Sequence, residues 1–141
     1  MSTDQTAEQN GRTAMEFLNA FTSGDIAKAW SLTTDDFRWT LMDKRMGGGE
    51  PAAFSRDEYI KMVSAYGGIF PQGIKMEFEA PLAGQDRVAI EARSEGLVST
   101  GETYRNLYVF MLRFSGGRIS GIKEYLDSGY AHKTLDPAMA K

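Results

Sequence analysis

Ala14, Phe17, Leu18 and Phe21 recur at spacings of three and four along the chain. That is the period of one face of an α-helix, and it predicts a first helix with residues 1–8 as a loose tail or its frayed start. Gly24 is placed to close this helix and Asp25 to cap the next, so "DIAKAWSL" reads as a short second helix. "TTDD" predicts a turn, and "FRWTLMD" (37–43) a first strand rich in β-formers. "KRMGGGEPAAF" reads as a loop. Ser55 and Glu58 then form an S-x-x-E capping box, followed by Tyr59, Met62, Val63 and Tyr66 at i, i+3, i+4 and i+7. A third helix is therefore expected over about 56–66, ended by Gly67-Gly68.

Further along, the pattern changes from helical to alternating. "IKMEFEA" alternates apolar and charged residues, "RVAIEARSEGLV" is a longer strand, and "TYRNLYVFMLRF" and "RISGIKEYLD" follow. Ser115-Gly116-Gly117 joins the last two as a tight hairpin. Helices first and a run of antiparallel strands second argue for an α+β fold rather than βαβ repeats. No repeat, linker or low-complexity segment divides the chain, so one domain is expected over 1–141, with a core of about 8–133 and loose tails.

The stretch "EARSEGLV" poses the main question. Side chains alternate along a strand, so Glu91, Arg93 and Glu95 share one face and Val88, Ile90 and Ala92 the other. The residues alone leave two readings open: a solvated strand face, or the polar lining of an internal pocket. Only the second gives this strand chemistry to do.

Composition removes several kinds of chemistry. With no cysteine there is no disulfide, thiolate metal site or cysteine nucleophile. One histidine excludes a multi-histidine metal centre, and no Ser-His-Asp arrangement stands out. A formal charge of −3 with mixed signs along the chain argues against nucleic acid or an anionic membrane as partner. The polar N-terminus lacks a signal-peptide core and no run is long enough to span a bilayer, so a cytoplasmic location is expected. Gly47-Gly48-Gly49 lacks the phosphate-loop pattern and reads as an ordinary loop. Trp30 reads as packing, His132 as a surface residue past the last strand, and the eight methionines as adaptable packing.

"Y-R-N-L-Y-V-F" followed by "G-G-R-I-S-G-I-K-E-Y-L-D", placed after three helices, resembles the nuclear-transport-factor-2-like superfamily. Within it the likeness is to SnoaL-like polyketide cyclases and ketosteroid-isomerase relatives, over about residues 8–133. The resemblance implies a cone-shaped, curved, mixed but mostly antiparallel sheet wrapped around three N-terminal helices and enclosing a pocket. It also implies a homodimer packed through the outer sheet face. A partial likeness to limonene epoxide hydrolases lies in Arg93-Ser94-Glu95 and in Glu124 before Tyr125.

By that likeness Arg93, Glu95 and Glu124 form an inward catalytic trio, with Glu124 as base, Glu95 as acid and Arg93 between them. Trp39, Leu41, Tyr59, Glu91, Asn106, Tyr108, Phe110, Ile122 and Leu126 would contact the substrate. Val88, Ile90, Ala92, Leu107, Val109 and Met111 would then form an apolar outer face needing a partner. The sequence departs from these relatives where a water-orienting pair and a general-base aspartate would fall, near Trp39 and Leu41. Asp43, of the same parity as Leu41, is a substitute candidate. Nothing in the residues implies a cofactor or metal. The expected function is cofactor-free acid–base chemistry on a small, mostly apolar molecule: isomerisation, cyclisation or hydrolysis. The alternative is a non-catalytic ligand-binding or assembly module of the same fold.

Overall fold

Ser2 caps the first helix, α1 (Thr3–Thr22), in a reciprocal capping box with Gln5. That box carries the helix back to Thr3, so residues 3–8 are ordered helix rather than a tail. The computed structural model describes residues 2–140. Asp25 caps α2 (Ile26–Ser31) as expected, accepting the Lys28 N–H. The stretch "TTDD" is not a turn: β1 starts there and runs Thr33–Leu41, with a register irregularity between Thr33 and Arg38. A short β2 (Ala52–Phe54) emerges from the glycine-rich loop and pairs with β1.

Ser55 caps α3 (Arg56–Gly67). Its hydroxyl accepts the Glu58 N–H, and the Glu58 carboxylate accepts the Ser55 N–H. Alanine at Ser55 is expected to lower stability by about 1 kcal/mol in chemical denaturation. An unchanged midpoint would show that this cap does not hold α3.

The remaining strands are β3 (Lys75–Phe78), β4 (Leu82–Ala83), β5 (Arg87–Leu97), β6 (Thr103–Ser115) and β7 (Arg118–Leu126), followed by α4 (Ser128–Met139). Gly116 and Gly117 make the two-residue turn between β6 and β7, both at positive φ as a type I′ turn requires. The sheet order is β2-β1-β7-β6-β5-β3, with β4 also on β5. All pairs are antiparallel except β1 with β7, so the sheet is mixed, curved and open. It wraps the helices: α1 lies against β4, β5 and β7, and α3 against β1 and β2. No described helix is long and apolar enough to cross a membrane.

The register between β5 and β6 corrects the expected facing of β5. Arg93 pairs with Leu107 and Ser94 with Asn106. Directly opposed residues share a face. Leu107 is exposed and Asn106 buried, so Arg93 faces out and Ser94 in. Glu91, Arg93 and Glu95 therefore all lie on the solvent side, and Val88, Ile90 and Ala92 are core. Arg93 pairs with Glu77 at 2.8 Å, and Glu95 lies 3.4 Å from Arg105. Neither reaches Glu124. Burying three apolar side chains against α1 is favourable, whereas burying three charges is costly. A one-residue shift of parity exchanges those two sets. The proposed Arg93–Glu95–Glu124 trio does not exist, and Glu91 is not a pocket residue.

Candidate functional site

The inner face of the sheet, α1, α3 and α4 enclose a cavity of about 310 Å³. The Tyr59/Met62/Val63/Tyr66 stripe of α3 forms one wall. Trp39, Leu41, Tyr108, Phe110 and Leu126 line it as expected. Asn106 and Ile122 also face inward but stop behind this surface, both almost fully buried. Among the described residues, no lysine or arginine lines the cavity.

Glu124, on β7, is a buried acid of the site, 8 % exposed. Pairing of β1 with β7 sets Leu41 beside Glu124 and Trp39 beside Ile122. The Trp39 indole N–H donates to Glu124 Oε1 at 2.9 Å, and the Tyr59 hydroxyl donates to the same oxygen at 2.6 Å. The two rings stack at 3.9 Å and 9°, which fixes both donors. Oε2 makes no hydrogen bond to the protein, yet it is not sealed from accessible space. It is the carboxyl oxygen open to the cavity. Burial raises the Glu124 pKa, opposed by the hydrogen bonds from Tyr59 and Trp39. Burial, then the neighbouring Glu124 charge, raises Tyr59 well above its ordinary value, so its proton stays on the phenol.

A second polar group sits where α4 meets the loop after β1. His132 Nε2 lies 2.7 Å from Asp43 Oδ2, and its Nδ1 lies 3.1 Å from Asp136 Oδ2. Asp43 is 5 % exposed and also accepts the N–H groups of Arg45 and Met46 through Oδ1. With a carboxylate on each ring nitrogen, the imidazole donates to both only when it carries two protons. Asp43 and His132 line the cavity. His132 is thus no idle surface residue, and Asp43 points inward as its parity suggested. The overlooked signal was the spacing of Ala131, Thr134, Leu135 and Ala138, which extends the expected short tail into a full helix against β6. No group of three or more acidic, histidine or cysteine side chains is placed to hold a metal ion among the described residues.

Tyr104 was also missed. It lines the cavity on β6 beside Tyr108, at the end where Phe70 and Leu135 form a second small core.

A SnoaL-like domain profile matches residues 14–122. The chain belongs to the SnoaL-like family. Glu124 and α4 lie beyond the matched span. Solved structures agree on the fold at low identity. BvnE pinacolase from Penicillium brevicompactum is similar at 16 % identity and TM-score 0.80, covering 100 % of this chain and 98 % of that one. A putative SnoaL-like polyketide cyclase from Jannaschia sp. CCS1 is similar at 14 % and 0.76, covering 96 % of each chain. An NTF2-like protein of unknown function from Burkholderia pseudomallei K96243 is similar at 18 % and 0.76, covering 90 % and 97 %. No curated protein matches the sequence.

Proposed function

We propose that this SnoaL-like protein is a cofactor-independent acid–base enzyme acting on a small, mostly apolar molecule, with Glu124 as the group that moves the proton. The observation that carries the reading is the division of labour within one carboxyl group. Oε1 is held by Trp39 and Tyr59, and Oε2 is left free in an aromatic cavity. A carboxyl with a raised pKa exchanges protons nearer neutrality than an ordinary one. The pinacolase and polyketide-cyclase neighbours are consistent with such chemistry on this fold.

An enolisable two-ring ketone, 2-tetralone, tests the reading. Glu124 carboxylate would take an α-proton, leaving the enolate, and return a deuteron from D₂O to the same carbon. NMR should show α-exchange in the bound ketone faster than in buffer. A ketone that binds and exchanges no faster leaves a binding site without catalysis. That is the second reading, and it has its own support: Asp43, His132 and Asp136 are engaged with one another, so none of these three is free to partner Glu124 in a two-group relay.

The same proposal includes a homodimer joined through the outer sheet face. Its apolar row is narrower than expected, since the β5 residues face inward. Leu107 is 70 % exposed and Tyr125 42 %, with Val109 and Met111 half-buried between the strands' charged ends. Light scattering should give a dimer that Leu107→Glu dissociates. A monomeric wild type at micromolar concentration would end this part of the proposal.

A further inference from the structure

The amide of Asn106 has only one orientation that satisfies its neighbours. Its Oδ1 accepts the Leu107 N–H at 2.7 Å, and its Nδ2 donates to the Asp127 carbonyl at 3.1 Å. A carbonyl can only accept, so the amide cannot be turned round. The second Nδ2 hydrogen goes to the Tyr104 hydroxyl at 2.7 Å. Tyr104 is therefore an acceptor from Asn106, and its own proton must point elsewhere. The partner within reach is the Tyr108 hydroxyl at 3.5 Å, long for an O–H···O bond. Tyr108 in turn lies 2.8 Å from Ser94 Oγ. Both phenols line the cavity, whereas Asn106 and Ser94 sit behind them, 2 % and 4 % exposed. The chain of hydroxyls thus has its direction set at the buried end and a poorly used proton at the cavity end.

We propose that the Tyr104–Tyr108 hydroxyl pair is a donor site for an uncharged acceptor oxygen of the ligand, with Asn106 as the positioning residue that turns the Tyr104 proton toward the cavity. A ligand oxygen at Tyr104 replaces a long hydrogen bond by a good one. Burial raises the pKa of both phenols, which keeps them protonated as donors. The ligand is uncharged because, among the described residues, no lysine or arginine lines the cavity, the His132 ring is engaged by Asp43 and Asp136, and the carboxyl groups of Glu124 and Asp43 face the same space. The proposal rests on the cavity being a small-molecule site, and not on proton transfer by Glu124.

Three probes of one shape test it by calorimetry: 2-acetylnaphthalene, 2-ethylnaphthalene and 2-naphthoate. The ketone should bind about tenfold more tightly than the hydrocarbon, as one net hydrogen bond implies, and the carboxylate most weakly. Tyr104→Phe should remove that roughly tenfold preference and leave hydrocarbon affinity unchanged. Asn106→Asp, which puts an acceptor where Tyr104 finds a donor, should do the same. Unchanged hydrocarbon affinity certifies that the cavity is intact in each variant. A ketone preference that survives Tyr104→Phe overturns the proposal. A preference lost in Glu124→Gln but kept in Tyr104→Phe also overturns it and assigns the oxygen to Glu124, leaving the acid–base reading standing. If neither neutral probe binds the wild type, the cavity is not a small-molecule site and both readings fall.

Discussion

Glutamine in place of Glu124 is expected to make the protein more stable at neutral pH while removing its proton transfer. Glutamine keeps a carbonyl oxygen for the Trp39 and Tyr59 donors, so the stacked pair stays in place. What it removes is the cost of an ionised carboxylate in a buried site. The sign follows from linkage. Burial holds the folded pKa of Glu124 above its ordinary value of 4.5. The folded state then binds the proton more tightly than the unfolded state between those two values. The group's stabilising contribution is complete below 4.5 and is lost as pH rises through the raised folded value. Denaturation midpoints of wild type and Glu124→Gln should therefore differ little at pH 4 and diverge in favour of the variant toward pH 8. Exchange of bound 2-tetralone should fall by about 10²–10⁴-fold, the usual range for loss of a general acid–base group. A variant less stable than wild type at pH 8 would mean that the charged carboxylate is well accommodated. Unchanged exchange would remove Glu124 from the chemistry.

The features legible in the sequence were those set by neighbours along the chain. The capping box at Ser55, the α3 stripe from Tyr59 to Tyr66 and the glycine turn at 116–117 each depend on residues a few positions apart. The inward rows Asn106/Tyr108/Phe110 and Ile122/Glu124 were legible too, because a family resemblance supplied the orientation of β6 and β7. On β5 the same resemblance misled. Alternation defines two faces without saying which is inside, and matching Arg93-Ser94-Glu95 to a motif chose the wrong one. The register with β6 decides it, since Tyr108 opposite Ala92 and Leu107 opposite Arg93 cannot both be reconciled with an inward arginine. The Asp43–His132 contact joins residues 89 positions apart through a helix that was read as a tail. No local pattern announces such a contact. In the Asn106–Tyr104–Tyr108–Ser94 chain the three β6 residues are spaced to share a face, but the Ser94–Tyr108 bond appears only once β5 and β6 are in register.

Phe17→Ala is expected to be the most destabilising of these changes, and its effect should reach the site. Phe17 is fully buried on the inner face of α1. Its ring lies 6.1 Å from Trp30, 6.2 Å from Phe21 and from Phe37, and 5.7 Å from Trp39. Rings on α1, α2 and β1 meet at this one side chain, so no single element can shift to refill its volume. Truncation should cost about 3–5 kcal/mol, as for other buried phenylalanines. For a chain of this length that corresponds to a fall in Tm on the order of 10–20 °C. Trp39 would lose one of the rings packed against it while keeping Phe21 at 5.0 Å and the stack on Tyr59, and Trp39 and Tyr59 hold Glu124 Oε1. The near-UV circular dichroism of the tryptophans should weaken together with 2-tetralone exchange. Phe17→Leu keeps most of the volume and should recover most of the stability and the signal. If Phe17→Ala lost less than about 1 kcal/mol, the aromatic cluster would not be close-packed. The rigidity assigned to Trp39 and Tyr59 would then have to come from the sheet alone.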